Sequence, residues 1–309
     1  MRKISRGNML LLITAILFYG LSLALSLADY IPYPMLAEIF AQLLLMIPAL
    51  VYCAASKTSV PDAVRIKKTK PVNFLMAFLV ILCSYPVSAV LNLVSMFFVE
   101  NAVSDTISMM LTRYGFWLPF FVVAVMPGIC EEFLFRGVVY GSYKKSHPMA
   151  GLWISAAVFG LMHGNFNQMP YAMFLGIVFV LMLEATDSIL TTMFMHFLLN
   201  GSNVLLMYAV GPEMYAAGEN SSASVRQMFG SMMMENGAVM VIGVLFIYGM
   251  MAILFAAAVF FLIYLTFILN HRSLKQTFMQ QSGGEKQHIF DFWLLGFVIL
   301  MIVVMIFFK

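Results

Sequence analysis

The chain has 309 residues, of which 62% are apolar and 10% charged, against about 45–50% and about 25% in soluble domains. A net charge of +3, dispersed over the loops, and a mean hydropathy of +0.94 exclude a soluble domain, a disordered chain and a nucleic-acid-binding protein. Three cysteines without a CxxC spacing exclude a disulfide scaffold. We therefore expect an all-α fold, a polytopic transmembrane helical bundle.

Hydrophobic segments in chain order predict about eight to nine spans, because a spanning helix needs about 20 largely apolar residues. The fifth and sixth are short, which is typical of tilted or shielded helices. Polar connections are expected at 211–236 and 271–290. We divide the chain into N-terminal helices (1–113), a central core (114–210) and C-terminal helices (211–309). The nine segments are 8–28, 33–54, 73–99, 114–142, 149–163, 170–184, 188–210, 237–270 and 291–308.

Loop charge predicts a cytoplasmic N-terminus, because Lys and Arg are retained on the inner side. Only Arg113, Arg226 and Lys309 then lie outside, and Arg136 lies inside a span. The inner segments hold thirteen of the 17 basic residues: Arg2, Lys3, Arg6, Lys57, Arg65, Lys67, Lys68, Lys70, Lys144, Lys145, Arg272, Lys275 and Lys286.

The first segment is either a membrane anchor or a cleaved signal peptide. It follows a basic start and ends in Ser-Leu-Ala at residues 26 to 28. Its apolar run is longer than that of an ordinary signal peptide, which favours the anchor.

Ionisable residues inside the fourth segment indicate a functional site, since each costs at least about 2.5–3.5 kcal/mol in the bilayer. Glu132 and Arg136 are four residues apart and share a helix face, so they are expected to form an ion pair. Glu131 lies on another face without a local partner. An unpaired, partly desolvated carboxyl suits a general base that later returns its proton.

Two histidines on later segments complete the cluster. The fifth segment ends in Phe159-x-x-x-His163, where the phenyl ring can support the imidazole. The seventh carries His196-x-x-x-Asn200, with both side chains on one face. At 1.5 Å of rise per residue these groups and Glu131 lie roughly 14–22 Å from the inner ends of their segments. The carboxylate, the imidazoles and the amide are therefore expected at one depth in the membrane.

Three other acidic residues are expected to be structural. Glu38 is alone in the second segment, where we expect snorkelling or a polar contact on its own helix. Glu184 and Asp187 lie at the short inner turn between the sixth and seventh segments. We expect them to meet water and to cap the helix that starts near Ser188.

These motifs resemble the CPBP family of intramembrane proteases, also called the CAAX-protease and bacteriocin-processing group or Abi family. Supporting residues include Phe135-Arg136-Gly137 and Thr186-Asp-Ser-Ile189, and the resemblance covers about residues 114–205. The matching residues are Glu131-Glu132-x-x-x-Arg136, Phe159-x-x-x-His163 and His196-x-x-x-Asn200.

The resemblance implies a peptidase with its active site buried in the membrane. Glu131 would be the catalytic glutamate and His163 its partner in activating a water. His196 and Asn200 would stabilise the oxyanion. Glu132 and Arg136 would hold the site together.

A metal is the main chemical alternative. Glu131, His163 and His196 could supply three ligands to Zn²⁺, with water as the fourth. The sequence lacks an H-E-x-x-H pair on one helix, which favours a glutamate-activated water without a required cofactor.

The resemblance implies a membrane-associated protein or peptide as substrate. The compact polytopic layout and the lack of an organelle targeting signal favour a bacterial plasma membrane. A non-catalytic scaffold or immunity protein of the same fold is the first rival. A proton-coupled transporter is the second, although the sequence shows no inverted repeat of the transporter kind.

Overall fold

The computed structural model describes residues 3–27, 34–56, 60, 64–99, 103–212, 214, 222–279 and 288–307. Within these ranges the secondary structure is helical, without a strand, which confirms the predicted all-α fold. Arg2, Lys57, Lys286 and Lys309, which were counted for orientation, lie outside the described residues, as does Ala28 at the end of the first segment.

Eleven helices can be followed through the described residues. We number them in chain order: α1 Lys3–Leu27, α2 Pro34–Ala55, α3 Pro71–Met96, α4 Val103–Tyr114, α5 Trp117–Tyr143, α6 Pro148–Leu161, α7 Met169–Thr186, α8 Ile189–Val210, α9 Ser222–Leu269, α10 Leu274–Met279 and α11 Phe292–Phe307.

Seven of these helices are long and apolar enough to cross a membrane, and α6 and α11 are shorter apolar helices. Together they occupy the nine segments expected from hydropathy. Large apolar side chains such as Phe246 and Leu254, 67% and 68% exposed, cover the outer face of α9. Such surface is stable against lipid and not against water, so the protein is an integral membrane protein.

Three polar stretches differ from expectation. Residues 222–236, assigned to an outer connection, are helical and form the first part of α9, which bends at Gly237 (φ 78°, ψ 169°). The short helices α4 and α10 were not expected. Each has too few apolar residues for a hydropathy pattern to detect, and α4 has ionisable groups at both ends, Asp105 and Arg113.

Helices α5 and α7 occupy the middle of the bundle, since 56% and 67% of their most apolar windows are buried, the largest shares among the spans. Around them α6 packs along α7, α3 along α9, and α1 along α11. Helix α7 approaches α6 closely because Gly176 has no side chain; a Cβ there would lie 2.8 Å from the Ala156 Cα. The largest apolar core joins residues from the N-terminal, central and C-terminal segments.

Candidate active site

Helix α5 is irregular where it carries the charged residues. Two π-helical stretches, Phe121–Val125 and Phe133–Tyr140, flank a short α-helical stretch, Met126–Glu132. π-helical turns are wider than α-helical ones and are frequent at functional sites. Glu131 and Glu132 therefore end the central stretch, and Arg136 lies in the wider turn that follows.

Pro127 gives a physical reason for the first irregular turn. Proline has no N–H, so an α-helix loses the donor that residue 127 would aim at the carbonyl of Val123. The Asn200 Nδ2 atom donates to that carbonyl from α8 at 3.0 Å. Asn200 thus holds α8 against the irregular part of α5, next to the glutamates.

Gly128 lets α8 approach α5 at the level of the glutamates. A Cβ at this position would lie 3.2 Å from the carbonyl oxygen of Met193. The close approach brings His196, one turn before Asn200 in the α8 motif, against the glutamates of α5.

Glu132 and Arg136 form the ion pair that their spacing predicts. The Arg136 Nη1 atom lies 2.9 Å from Glu132 Oε1, and both side chains are fully buried. The same carboxylate oxygen accepts a hydrogen bond from His196 Nδ1 at 2.9 Å. Since a carboxylate can only accept, the Nδ1 atom carries a proton and the Nε2 atom faces away from Glu132.

Aromatic rings hold the other side of Arg136. Its guanidinium lies 4.1 Å from the centre of the Phe159 ring and 4.9 Å from that of Phe179. Both rings also contact His196. The π faces stabilise a cation in a position where, among the described residues, its N–H groups make no aligned hydrogen bond.

Glu131 has different surroundings from its neighbour. Its Oε2 atom lies 3.8 Å from His196 Nε2, and its side chain is 14% exposed. Its Oε1 atom accepts a hydrogen bond of 3.3 Å from Gln42 Nε2 on α2. It forms no ion pair with an Arg or Lys among the described residues, so this carboxylate is the one left free to react.

His163 lies in the turn that ends α6. Its Nδ1 atom is 2.8 Å from the Phe159 carbonyl oxygen, which can only accept, so Nδ1 carries the proton and Nε2 keeps its lone pair. The Phe159 ring meets the imidazole edge-to-face at 5.0 Å, as the spacing predicts.

The six predicted residues thus stand in one region of the bundle, but not all in direct contact. His196 joins Glu131 to Glu132, and Arg136 pairs with Glu132. Asn200 contacts the α5 backbone. His163 and Arg136 both contact the Phe159 ring.

Zinc binding does not fit the described side chains. No group of three His, Cys, Asp or Glu residues within the described ranges is arranged to hold a metal ion. We therefore derive no step through a metal.

Three residues at the site were not selected from the sequence. Gln42 and Tyr19 lie on helices without a recognisable motif, and Phe179 is one of 29 phenylalanines. Glu38 makes the expected contact on its own helix, with Gln42 at 3.2 Å. The sequence gave no signal that the same Gln42 amide also reaches Glu131, because that contact depends on how α2 packs on α5.

A second charged cluster occupies the predicted inner end of the bundle. The prediction for Glu184 was wrong: it is fully buried and lies 2.9 Å from both Arg65 and Lys144 and 3.6 Å from Arg272. Ser188 begins α8 without a side-chain cap. Glu184 instead joins three parts of the chain whose basic residues were all assigned to the inner side.

Asp187 belongs to the same cluster and is partly exposed. Lys67 Nζ donates to its Oδ2 atom at 2.6 Å. Burial alone would raise the pKa of the Asp187 carboxyl, but the hydrogen bond from Lys67 and the nearby guanidinium groups outweigh it. The pKa therefore lies below its ordinary value of 3.8.

Comparison with known proteins agrees with the motifs. Residues 113–202 match the family model described as "Type II CAAX prenyl endopeptidase Rce1-like". The matched segment is less than a third of the chain and contains all six predicted site residues. This confirms the resemblance to CAAX proteases and supports a membrane peptidase at the level of the family. Neither the curated proteins nor the solved structures give a significant match.

Proposed function

We propose that the protein is an intramembrane endopeptidase, similar to CAAX proteases, that cleaves a membrane-associated protein or peptide with a glutamate-activated water. The observation that carries this proposal is that two adjacent carboxylates have different partners and different exposure. Glu132 is fully buried and paired with Arg136 and His196. Glu131 faces His196 from 3.8 Å and remains partly exposed. Carboxyl groups in contrasting surroundings are typical of acid-base catalysis.

Glu131 is the general base in this mechanism. It takes a proton from a water whose oxygen attacks the carbonyl carbon of the scissile peptide bond, giving a tetrahedral oxyanion. When the oxyanion collapses, the C–N bond breaks. Glu131 then returns the proton to the departing nitrogen, so the products are a carboxylic acid and an amine.

His163 orients the attacking water. With its Nδ1 proton donated to the Phe159 carbonyl, its Nε2 lone pair can accept a hydrogen bond from that water. A water between this nitrogen and Glu131 would have its oxygen lone pair free for attack.

His196 and Asn200 stabilise the oxyanion. His196 donates through Nε2 when both ring nitrogens are protonated, and Glu132 then compensates its positive charge from 2.9 Å. Asn200 uses one amide hydrogen for Val123, and we assign its second to the oxyanion. Hydrogen bonds of this kind are strong in a site from which water is largely excluded.

Glu132 and Arg136 support the site without touching the substrate. Glu132 selects the His196 tautomer, and Arg136 balances the charge of Glu132. A pair of opposite charges suits this environment, because an unbalanced charge in low dielectric is costly.

The proposed orientation puts the N-terminus in the cytoplasm and the protein in a bacterial plasma membrane. The cluster of Arg65, Lys67, Lys144 and Arg272 supports it, because positive residues are retained on that side. Substrate would then reach the site from the cytoplasm or laterally from the bilayer.

An apolar cleft supports lateral access. It has a volume of about 520 Å³ and lies between α1 and α2, with walls from Arg6 to Leu17 and from Ile47 to Ser56. The next polar side chains along these walls are Tyr19 and Gln42, which contact the His163 turn and Glu131. An apolar part of a substrate in this cleft would lead its peptide towards the carboxylate.

The test compares cells that carry the wild type with cells that carry Glu131→Gln, at equal membrane levels. Mass spectrometry of N-terminal and C-terminal peptides identifies cleavage products, and we expect specific products to disappear in the variant. Glu235→Gln, which changes an exposed carboxyl on α9, is the matched control and should leave them unchanged. Identical peptides in all three strains, with a phenotype on deletion, would refute the proposal in favour of a scaffold or a carrier.

A further inference from the structure

Helix α2 lies outside the family-matched segment, yet its polar residues reach the proposed base. Gln42 is 3% exposed, and the residues around it on α2 are apolar except for Glu38 one turn earlier. Burying an amide in a bilayer costs free energy unless its hydrogen bonds are made. Gln42 therefore needs polar partners, and both of its described partners are carboxylates.

The geometry points to a positioning role: we propose that Gln42 fixes the Glu131 carboxylate for catalysis and that Glu38 fixes the orientation of the Gln42 amide. This inference rests on the proposed peptidase function. It assigns residues of α2 to a site whose recognised motifs all lie on α5, α6 and α8.

The hydrogen bonds assign different tasks to the two oxygens of Glu131. Gln42 Nε2 donates to Oε1 at 3.3 Å, while Oε2 faces His196 Nε2 from 3.8 Å. A free glutamate side chain rotates about three bonds and can exchange its oxygens. With Oε1 held by α2, Oε2 is the oxygen presented to the water, and its direction is fixed before substrate binds.

Glu38 decides which end of the amide faces Glu131. The Gln42 Nε2 atom donates at 3.2 Å to Oε1 of Glu38, which lies one turn earlier on α2. Carboxylate oxygens can only accept hydrogen bonds. Because Glu38 and Glu131 both face the same end of the Gln42 amide, that end must be the nitrogen and not the oxygen. Without an acceptor at residue 38, the amide could rotate by 180° and turn its own oxygen towards Glu131, which would repel the carboxylate.

The test measures the rate at which isolated membranes form the product that Glu131→Gln abolishes, per folded molecule of the full-length protein. Gln42→Leu and Glu38→Leu should each lower this rate by at least about tenfold, since misplacement of a reacting group by about 1 Å can cost about 100-fold. Glu38→Gln keeps an acceptor oxygen and should restore most of the rate lost in Glu38→Leu.

Asn73→Leu is the matched control for the loss of a buried amide. Asn73 is 1% exposed and bonds Thr69 and Asn270, away from Glu131. It should lower thermal stability while leaving the rate per folded molecule unchanged. A rate loss as large as that of Gln42→Leu would show that any buried amide matters, and would overturn the positioning role.

The remaining outcomes separate this inference from the proposed function. If Glu131→Gln abolishes a product and Gln42→Leu forms it at the wild-type rate, the positioning role is wrong and the peptidase stands. If Glu38→Gln is as slow as Glu38→Leu, Glu38 acts through its charge and the proposed role of Glu38 is wrong. If Glu131→Gln abolishes no product, the peptidase proposal fails and this inference fails with it.

Discussion

Asn200 has two roles in the proposed site that a pair of substitutions can separate. It donates to the Val123 carbonyl at 3.0 Å, and we assign its second amide hydrogen to the oxyanion. The first role is structural and arises because Pro127 has no N–H to offer that carbonyl. The second role would act only in the transition state.

The structural role should affect the folding free energy, whereas the oxyanion role should affect kcat. Asn200→Leu leaves the Val123 carbonyl without its side-chain donor, which should cost about 1–3 kcal/mol of folding free energy. Loss of one oxyanion donor should also lower kcat by about 10²–10³-fold. Pro127→Ala restores a backbone N–H four residues after Val123 and removes a proline from a helix interior, so it should not lower stability.

The assay combines both measurements in a double-mutant cycle. Thermal unfolding in detergent gives the stability, and formation of the Glu131-dependent product in membranes gives the rate. In the Pro127→Ala background we expect the stability cost of Asn200→Leu to shrink while its rate loss persists. Recovery of the rate in the double variant would refute the oxyanion role, because Asn200 would then act only by supporting α5.

Three further predictions concern other contacts. Arg136→Met leaves Glu132 buried without its cation, so unfolding in detergent should show a loss of about 3–5 kcal/mol; an unchanged midpoint would contradict the ion pair. Tyr19→Phe removes a 2.7 Å hydrogen bond to the carbonyl that precedes His163, and should lower product formation more than it lowers stability; equal losses would indicate packing alone. Asp187→Asn should destabilise the protein at pH 7. Because folding lowers the pKa of the Asp187 carboxyl, its ionised form stabilises the folded protein at pH values above the ordinary pKa of 3.8. This contribution is lost as the pH falls through the folded-state pKa. Thermal unfolding of wild type and variant should therefore converge in acid, and a constant difference would contradict the shift.

Contacts within one helix were predictable from the sequence. Glu132 and Arg136 are four residues apart, so helical geometry alone brings them together. The nine hydrophobic segments were predictable for a similar reason, since each depends only on local composition. Residues 222–236 were missed because polar and apolar residues alternate there without a long apolar run.

Contacts between helices were predictable only in part. The motif order indicated that His163 and His196 lie near Glu131, but not that Glu132 bonds His196. The contact between Gln42 and Glu131 depends on the packing of α2, which no local pattern records. Glu184 was misjudged because its position at a helix end suggested water, whereas the folded chain surrounds it with basic side chains.

The ion pair within α5 also bears on how the protein is made. Because Glu132 and Arg136 belong to one helix, they can neutralise each other as soon as that helix has formed. Helix α5 can therefore leave the translocon for lipid before α8 has been synthesised. His196 joins the pair only later, so the proposed active site can be complete only after α8 has been synthesised and inserted.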